Sequence, residues 1–259
     1  MRRLALLPAA TVAVVTTMAS ADPPPLASAP AVSRFAMPAN VAAAVQNVER
    51  FYQPVTALRT AFTETLVLSM FGNTTVWQGY VTAAKPMKSA WHFTAGGYAG
   101  NYSVSDGQVA GVYEAGTHAF FLEPASASYY GSLFSFMSGP GALSAQCNLT
   151  LYRGDQLQYP TGYVLLCLPK SPSAPYARML YYVDGASSEV RRVVIRDANN
   201  NRRTFELDHA QINPTLSPTE FSLAPPPGAR VVSNLPASPA APAPAPSSSS
   251  STTFITDDW

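Results

Sequence analysis

Few residues in this chain are of types that do chemistry, and their spacing decides what they can do. The three histidines, His92, His118 and His209, stand far apart, and none has a second His, Cys or carboxylate at ligand spacing. A protein-bound metal needs several such donors converging, so the pattern gives a metal site no support. The stretch "GSLFSFMSG" (131–139) sets serines near glycines but lacks the strand–Ser–helix setting that exposes a nucleophile. No GxGxxG or Walker loop is present to cradle a phosphate. Glu64 interrupts the apolar face of "AFTETLVLSMF", but one carboxylate is not an acid–base pair. The expectation is a protein that is not an enzyme and carries neither cofactor nor metal.

Cys147 and Cys167 flank "NLTLYRGDQLQYPTGYVLL", two strand-like runs with a turn-rich middle. In a hairpin folded about residue 157 they face each other, so a cross-strand disulfide is one reading and two separate buried thiols the other. No CxxC and no neighbouring His gives either a catalytic role. Asn-x-Ser/Thr triplets at Asn73, Asn101 and Asn148 are too short to carry weight.

The elements around these residues are those of an exported sheet protein. "MRRLALLPAATVAVVTTMASA" has two arginines, an apolar run and small residues at Ala19 and Ala21, the layout of a cleavable secretory signal over 1–21. The run is too short and interrupted to anchor, and no cysteine follows for lipidation. Residues 22–34 are a Pro/Ala-rich linker, and 235–259 a Pro-rich then Ser-rich tail ending "TTFITDDW". That end is either a docking motif or a tail without function. A single domain over 35–234 lies between. Sixteen basic and fifteen acidic residues leave nothing to attract a polyanion, so nucleic acid is not an expected partner. Charged residues are 12% of the chain, against roughly 25% in an average domain.

Within the domain, Val41, Ala44, Val45, Val48 and Tyr52 recur at helical spacing after an Asn40 cap, with Glu49 and Arg50 on the outer side. From there the period is two. "AFTETLVLSMF" puts Phe62, Leu66, Leu68 and Met70 on one face, and "TVWQGYVTAA" and "SAWHFTA" follow as strands. "YSVSDGQVAGVYE" predicts a hairpin around Asp106-Gly107. "THAFFLEP", "LTLYR", "GYVLLCLP", "RMLYYVD", "EVRRVVIRD", "RRTFELDHAQI", "EFSLAP" and "ARVVS" continue as strands with short turns, so the sheet should be largely antiparallel. Residues 127–145 break the meander. They are rich in Leu133, Phe134, Phe136 and Met137 around Gly139-Pro140-Gly141, and predict one or two short helices that either close over a cavity or simply cross over and cap a core.

Six stretches in order, at compatible spacing, resemble the outer-membrane lipoprotein carrier (LolA-like) family. They are "VERFYQPVTALRTAFTETL", "GYVTAAKPMKSAWHF", "SDGQVAGVYE", "LLCLPK", "VVIRDANNNRRTFEL" and "INPTLSPTEFSLAPPPGARVV", and the resemblance they carry covers roughly residues 38–232, nearly the whole folded part. The resemblance implies an α+β fold: an incomplete, strongly curved antiparallel half-barrel with an N-terminal helix and a helical lid over its mouth. It implies a monomeric periplasmic carrier that takes the acyl chains of lipoproteins from an inner-membrane ABC-type exporter to an outer-membrane acceptor. Its lipid cavity would be walled by Phe62, Leu66, Leu68, Val81, Trp91 and Phe93, with Leu133, Phe134, Phe136 and Met137 from the lid. Lys85 stands where the family carries an arginine that latches the lid to backbone carbonyls. Lysine keeps the charge but loses the planar fork of donors. Two other readings stand beside this one: a binder or sensor of another amphiphile on the same fold, and a scaffold whose apolar residues are plain core.

Overall fold

The computed structural model describes residues 35–236 except 129, 131 and 132, with the side chain of residue 209 also left out. The signal segment, the linker and the tail from 237 onward lie outside the described residues. Helix α1, Val41–Tyr52, opens the domain; Asn40 caps it, its Oδ1 accepting from Ala43 N at 2.9 Å. Ala44, Val45, Val48 and Tyr52 form its buried stripe.

Twelve strands follow. They are β1 (Ala57–Val67), β2 (Thr74–Ala84), β3 (Lys88–Ala95), β4 (Tyr102–Ser105), β5 (Val109–Glu114) and β6 (Ala119–Pro124), then β7 (Cys147–Arg153) and β8 (Gly162–Pro169). The set closes with β9 (Arg178–Asp184), β10 (Val190–Arg196), β11 (Arg202–Ile212) and β12 (Arg230–Ser233). They form one curved, unclosed sheet in the order β12-β6-β5-β4-β3-β2-β1-β11-β10-β9-β8-β7. Every pairing is antiparallel except β12 with β6. The β1–β11 pairing joins the two halves, so the middle of the sheet depends on a contact some 140 residues apart in sequence, Thr63 opposite Glu206.

Alternation assigns each strand one side chain in two to each face. On the concave face Phe62, Val81, Trp91, Phe93, Phe205, Tyr181, Val193 and Ile195 join one buried cluster with the α1 stripe and with Leu133, Phe134, Phe136 and Met137. The described residues between 130 and 146 therefore lie against the concave face, as do the buried residues of α1. Among them Tyr130 and Leu133 are helical, Ser135–Met137 form a 3₁₀ turn, and Ala142–Gln146 form a short helix, α2. Two smaller clusters sit on the convex face, one around Phe120 under Phe221 and Leu223, the other around Tyr182 under Leu157 and Tyr159.

Three local expectations differ from the structure. β1 ends at Val67, so Leu68 is only partly buried and Met70 sits in a turn, 85% exposed. "EFSLAP" forms no strand. Pro225 ends it and Pro226 and Pro227 follow, none with a ladder donor, and Phe221 and Leu223 pack over the convex face instead. The β7–β8 hairpin pairs Leu149 with Cys167 and Cys147 with Pro169, one residue off a fold about 157, so the cysteines are diagonal neighbours. They are joined in a disulfide, with Cα atoms 5.1 Å apart.

Candidate functional site

Trp91 is the centre of the concave face. It comes from the middle of β3, opposite Val81 on β2, and is fully buried. Phe62 of β1 meets its edge at 5.1 Å between ring centroids and Phe205 of β11 at 5.5 Å. From the other side come Tyr130 at 4.9 Å and Phe134 at 5.6 Å, both from the covering segment. Phe93 lies 5.4 Å from Phe62. Phe62 can spread here because its cross-strand partner is Gly79; a side chain there would strike the His92 backbone and press on the Phe62 ring. Trp91 Nε1 is buried and meets no acceptor among the described residues.

Phe136 continues the cover. It packs between Tyr52 of α1, at 4.7 Å, and Tyr181 of β9, at 5.7 Å. Leu133 and Met137 are buried in the same cluster. Of the ten residues proposed from sequence for a cavity wall, the structure brings nine into one buried cluster and sets Leu68 against its margin. Phe205, Tyr181 and Tyr130 complete that face. Their alternation or apolar spacing was visible in sequence, but the face each would share was not.

Polar contacts hold the cover at several places, Lys170 Nζ donating to Ser144 O at 2.6 Å among them. Ser135 Oγ and Tyr181 Oη share a buried hydrogen bond of 3.0 Å, and burial pushes the Tyr181 phenol pKa up. Gly141 N donates to Glu49 Oε1 at 2.7 Å, so the helix carboxylate read as outward-facing in sequence clasps the start of α2. Tyr130 Oη donates to Glu64 Oε2 at 3.3 Å. Glu64 is fully buried, and its other oxygen takes Arg203 Nη1 at 2.5 Å. Burial raises the Glu64 pKa, while Arg203 and the hydrogen bonds from Arg203 and Tyr130 pull it back. The residue that looked solitary in sequence is thus an ion-paired anchor for the cover. Its partner lies 139 residues away, so only the β1–β11 pairing brings the two together.

Lys85 follows the last residue of β2 and begins the turn to β3, joined to Pro86 by a cis peptide. Its Nζ donates to Tyr52 O at 2.9 Å and Gln53 O at 3.0 Å, the terminal carbonyls of α1. A cation at that end also meets the negative end of the helix dipole. A small void of about 10 Å³ separates this turn from Phe134 and Met137. Met87, on its rim, also lines an open recess of about 650 Å³ bordered by Ala125, Ala145, Pro169, Lys170 and Tyr176.

The two histidines whose side chains are described, His92 and His118, do not converge. His92 stacks on Tyr80 at 4.7 Å on the convex face, and burial lowers its pKa against the pull of Glu220. His118 Nδ1 shares a 2.8 Å hydrogen bond with Tyr113 Oη beyond β5. Among the described residues no group of three His, Cys, Asp or Glu is placed to hold a metal ion, and no helix is long and apolar enough to cross a membrane.

No protein-family model matches the chain, and no curated protein matches its sequence. Solved structures similar to it include a conserved protein of Thermus thermophilus (16% identity, TM-score 0.47, covering 73% of this chain and 96% of that one). A LolA superfamily protein of Nitrosomonas europaea aligns at 10% identity and TM-score 0.44, over 71% and 97% of the two chains. LprF of Mycobacterium bovis aligns at 11% identity and TM-score 0.38, over 69% and 95%.

Proposed function

We propose that this protein is a periplasmic carrier that shields the acyl chains of lipoproteins released from the inner membrane and delivers them to the outer membrane, without catalysing a reaction. The observation that carries the reading is the plug: Leu133, Phe134, Phe136 and Met137, from a segment of short helical turns, fill the space over the Trp91 face. Such side chains occupy the room an acyl chain would take.

The energies make an exchange reversible. Withdrawing four large apolar side chains from a core costs roughly 1.5–3 kcal/mol each, or about 6–12 kcal/mol together. One sixteen-carbon chain entering in their place returns on the order of 12 kcal/mol at about 0.8 kcal/mol per methylene. The two are of the same size, so cargo enters and leaves by displacing the plug, with no nucleotide needed on this chain. The recess beside Met87 is where displacement would begin, because Met87 separates it from the void under Phe134 and Met137. Export by the N-terminal signal, hand-over from an ABC-type exporter and delivery to an outer-membrane acceptor complete this reading.

Native mass spectrometry of the chain, purified from its own source without detergent, tests it. A bound mass matching a triacylated lipoprotein is the expected result. A smaller lipid would move the protein to the second reading, a binder or sensor of phospholipid or glycolipid. An empty protein that also takes up no lipoprotein from donor membranes would overturn both.

A further inference from the structure

The last rung of the sheet at the β1–β2 end carries an unusual row. Arg196 of β10 lies directly opposite Arg178 of β9 on one side and Arg202 of β11 on the other. Direct partners project to the same face, and strands lie about 4.8 Å apart, so three guanidinium groups arise from a line about 10 Å long. Like charges set directly opposite each other in a sheet destabilise it. No carboxylate among the described residues lies within ion-pair distance of these three. The nearest in sequence, Asp197, accepts instead from Asn199 N and Asn201 N in its own turn, at 2.9 Å each. Glu206, two residues along the same face from Thr204, is bound to Arg192 at 2.6 Å. Three of the chain's sixteen basic residues therefore stand uncompensated in one rung of a protein poor in charge.

The same rung runs on to Val67, opposite Arg202, and Thr74. Beyond them the β1–β2 turn bears Met70, 85% exposed, and Phe71, 69% exposed, the two most exposed large apolar side chains described. This tip is fixed to the arginine row and not free beside it. Ser69 N donates to Asn201 Oδ1 at 3.0 Å and Ser69 Oγ to Asn200 O at 2.5 Å. Arg196 Nη1 donates to the same Asn200 O at 3.2 Å. The three arginines also line an open recess of about 690 Å³ floored by Leu166, Leu180 and Tyr182. This end of the sheet thus combines an apolar tip, a row of uncompensated cations held beside it, and a recess between strands wide enough for a polar headgroup.

We propose that this end of the sheet docks on an anionic phospholipid membrane, with Arg178, Arg196 and Arg202 on the lipid phosphates and Met70 and Phe71 entering the acyl boundary. Charge complementarity selects an anionic surface, and the projecting Met-Phe tip selects a lipid surface over an acidic protein, because an apolar tip gains from insertion into a fluid medium without needing a matching pocket. The docking end is the convex rim and not the Trp91 face, so it stands independently of the lipoprotein reading.

Flotation of the full chain with vesicles tests it, comparing pure phosphatidylcholine with phosphatidylcholine containing one third phosphatidylglycerol. Binding is expected to the anionic vesicles and to weaken as salt rises, because exposed charges are screened. Each arginine at such a surface is worth about a five-fold change in partition, so Arg178→Gln, Arg196→Gln and Arg202→Gln together should reduce anionic binding on the order of a hundred-fold. Arg153→Gln, away from the rung and paired with Asp155, should leave it unchanged. The N-terminal apolar segment is common to every variant and cannot produce that difference. A Phe71→Trp variant gives a second readout: its added fluorescence should be quenched by lipids brominated near the headgroup end of the acyl chain. Equal binding to both vesicle types, anionic binding untouched by the triple substitution, or no quenching at position 71 would each overturn the proposal. Retention on an acidic protein surface with no vesicle binding would do the same.

Discussion

Single residues decide how α1 and the cover are held, and two of them make opposite kinds of prediction. Lys85 satisfies two carbonyls at the C-terminus of α1. Lys85→Ala should lower stability by about 1 kcal/mol, seen as a drop in the urea midpoint, and should speed uptake of a fluorescent fatty acid. Unchanged uptake and release would end any latch role at this position. Glu64 acts through a proton. Burial raises its folded-state pKa above the unfolded value, with Arg203 opposing but not cancelling the shift. The folded chain then holds the proton more tightly than the unfolded one. Glu64's stability contribution is full below the ordinary carboxylate range and is lost as pH rises through the folded value. Glu64→Gln has no such proton. The melting temperature of wild type relative to this variant should therefore fall as pH rises from the ordinary carboxylate range through the raised folded-state value. A gap that grew in favour of wild type over that range would mean the Arg203 pair outweighs desolvation.

At the scale of elements, the β7–β8 hairpin and the cover have different work to do. β7 is an edge strand with one neighbour, and the disulfide ties it to β8 across a separation of 20 residues. A loop of that length gives about 2–4 kcal/mol, so Cys147→Ala with Cys167→Ala should lower the unfolding free energy by that amount in denaturant melts. The cover has only short regular pieces and few polar anchors, one of them Glu49 on Gly141 N. Glu49→Ala should accelerate fatty-acid uptake in stopped-flow fluorescence by several-fold and leave the equilibrium melt nearly unchanged. A slowed or unaltered rate would mean that this clasp does not govern opening.

For the whole molecule, stability should be uneven. The central β1–β11 and β1–β2 pairings extend over most of β1, whereas the cover is held mainly by apolar side chains that an acyl chain can replace. Hydrogen exchange should show cover amides between 133 and 146 exchanging at least about a hundred-fold faster than those of β1 and β11. Equal protection would mean that the cover opens only when the domain unfolds. That result would sink the displacement mechanism.

Apart from "EFSLAP", the strands, the first helix and the Asp106-Gly107 hairpin were legible in the sequence because each depends on nearby residues: an apolar period of two or 3.6, a capping Asn, a turn pair. The placement of Trp91 and Phe93 on one face followed from the same alternation, whereas Phe62's place beside them was an expectation from the family resemblance. Pairing across the chain was not legible. The meeting of β1 with β11 makes Glu64 an ion-paired anchor, and packing on the concave face brings the covering segment against Trp91. Each of these contacts joins residues far apart in sequence, and nothing local distinguishes a buried carboxylate with a partner from one without. The sequence by itself determined which residues would be apolar, extended or capped. Only the tertiary structure decided which would be neighbours, because sheet order and register are fixed by the packing of the whole concave core and not by any one strand.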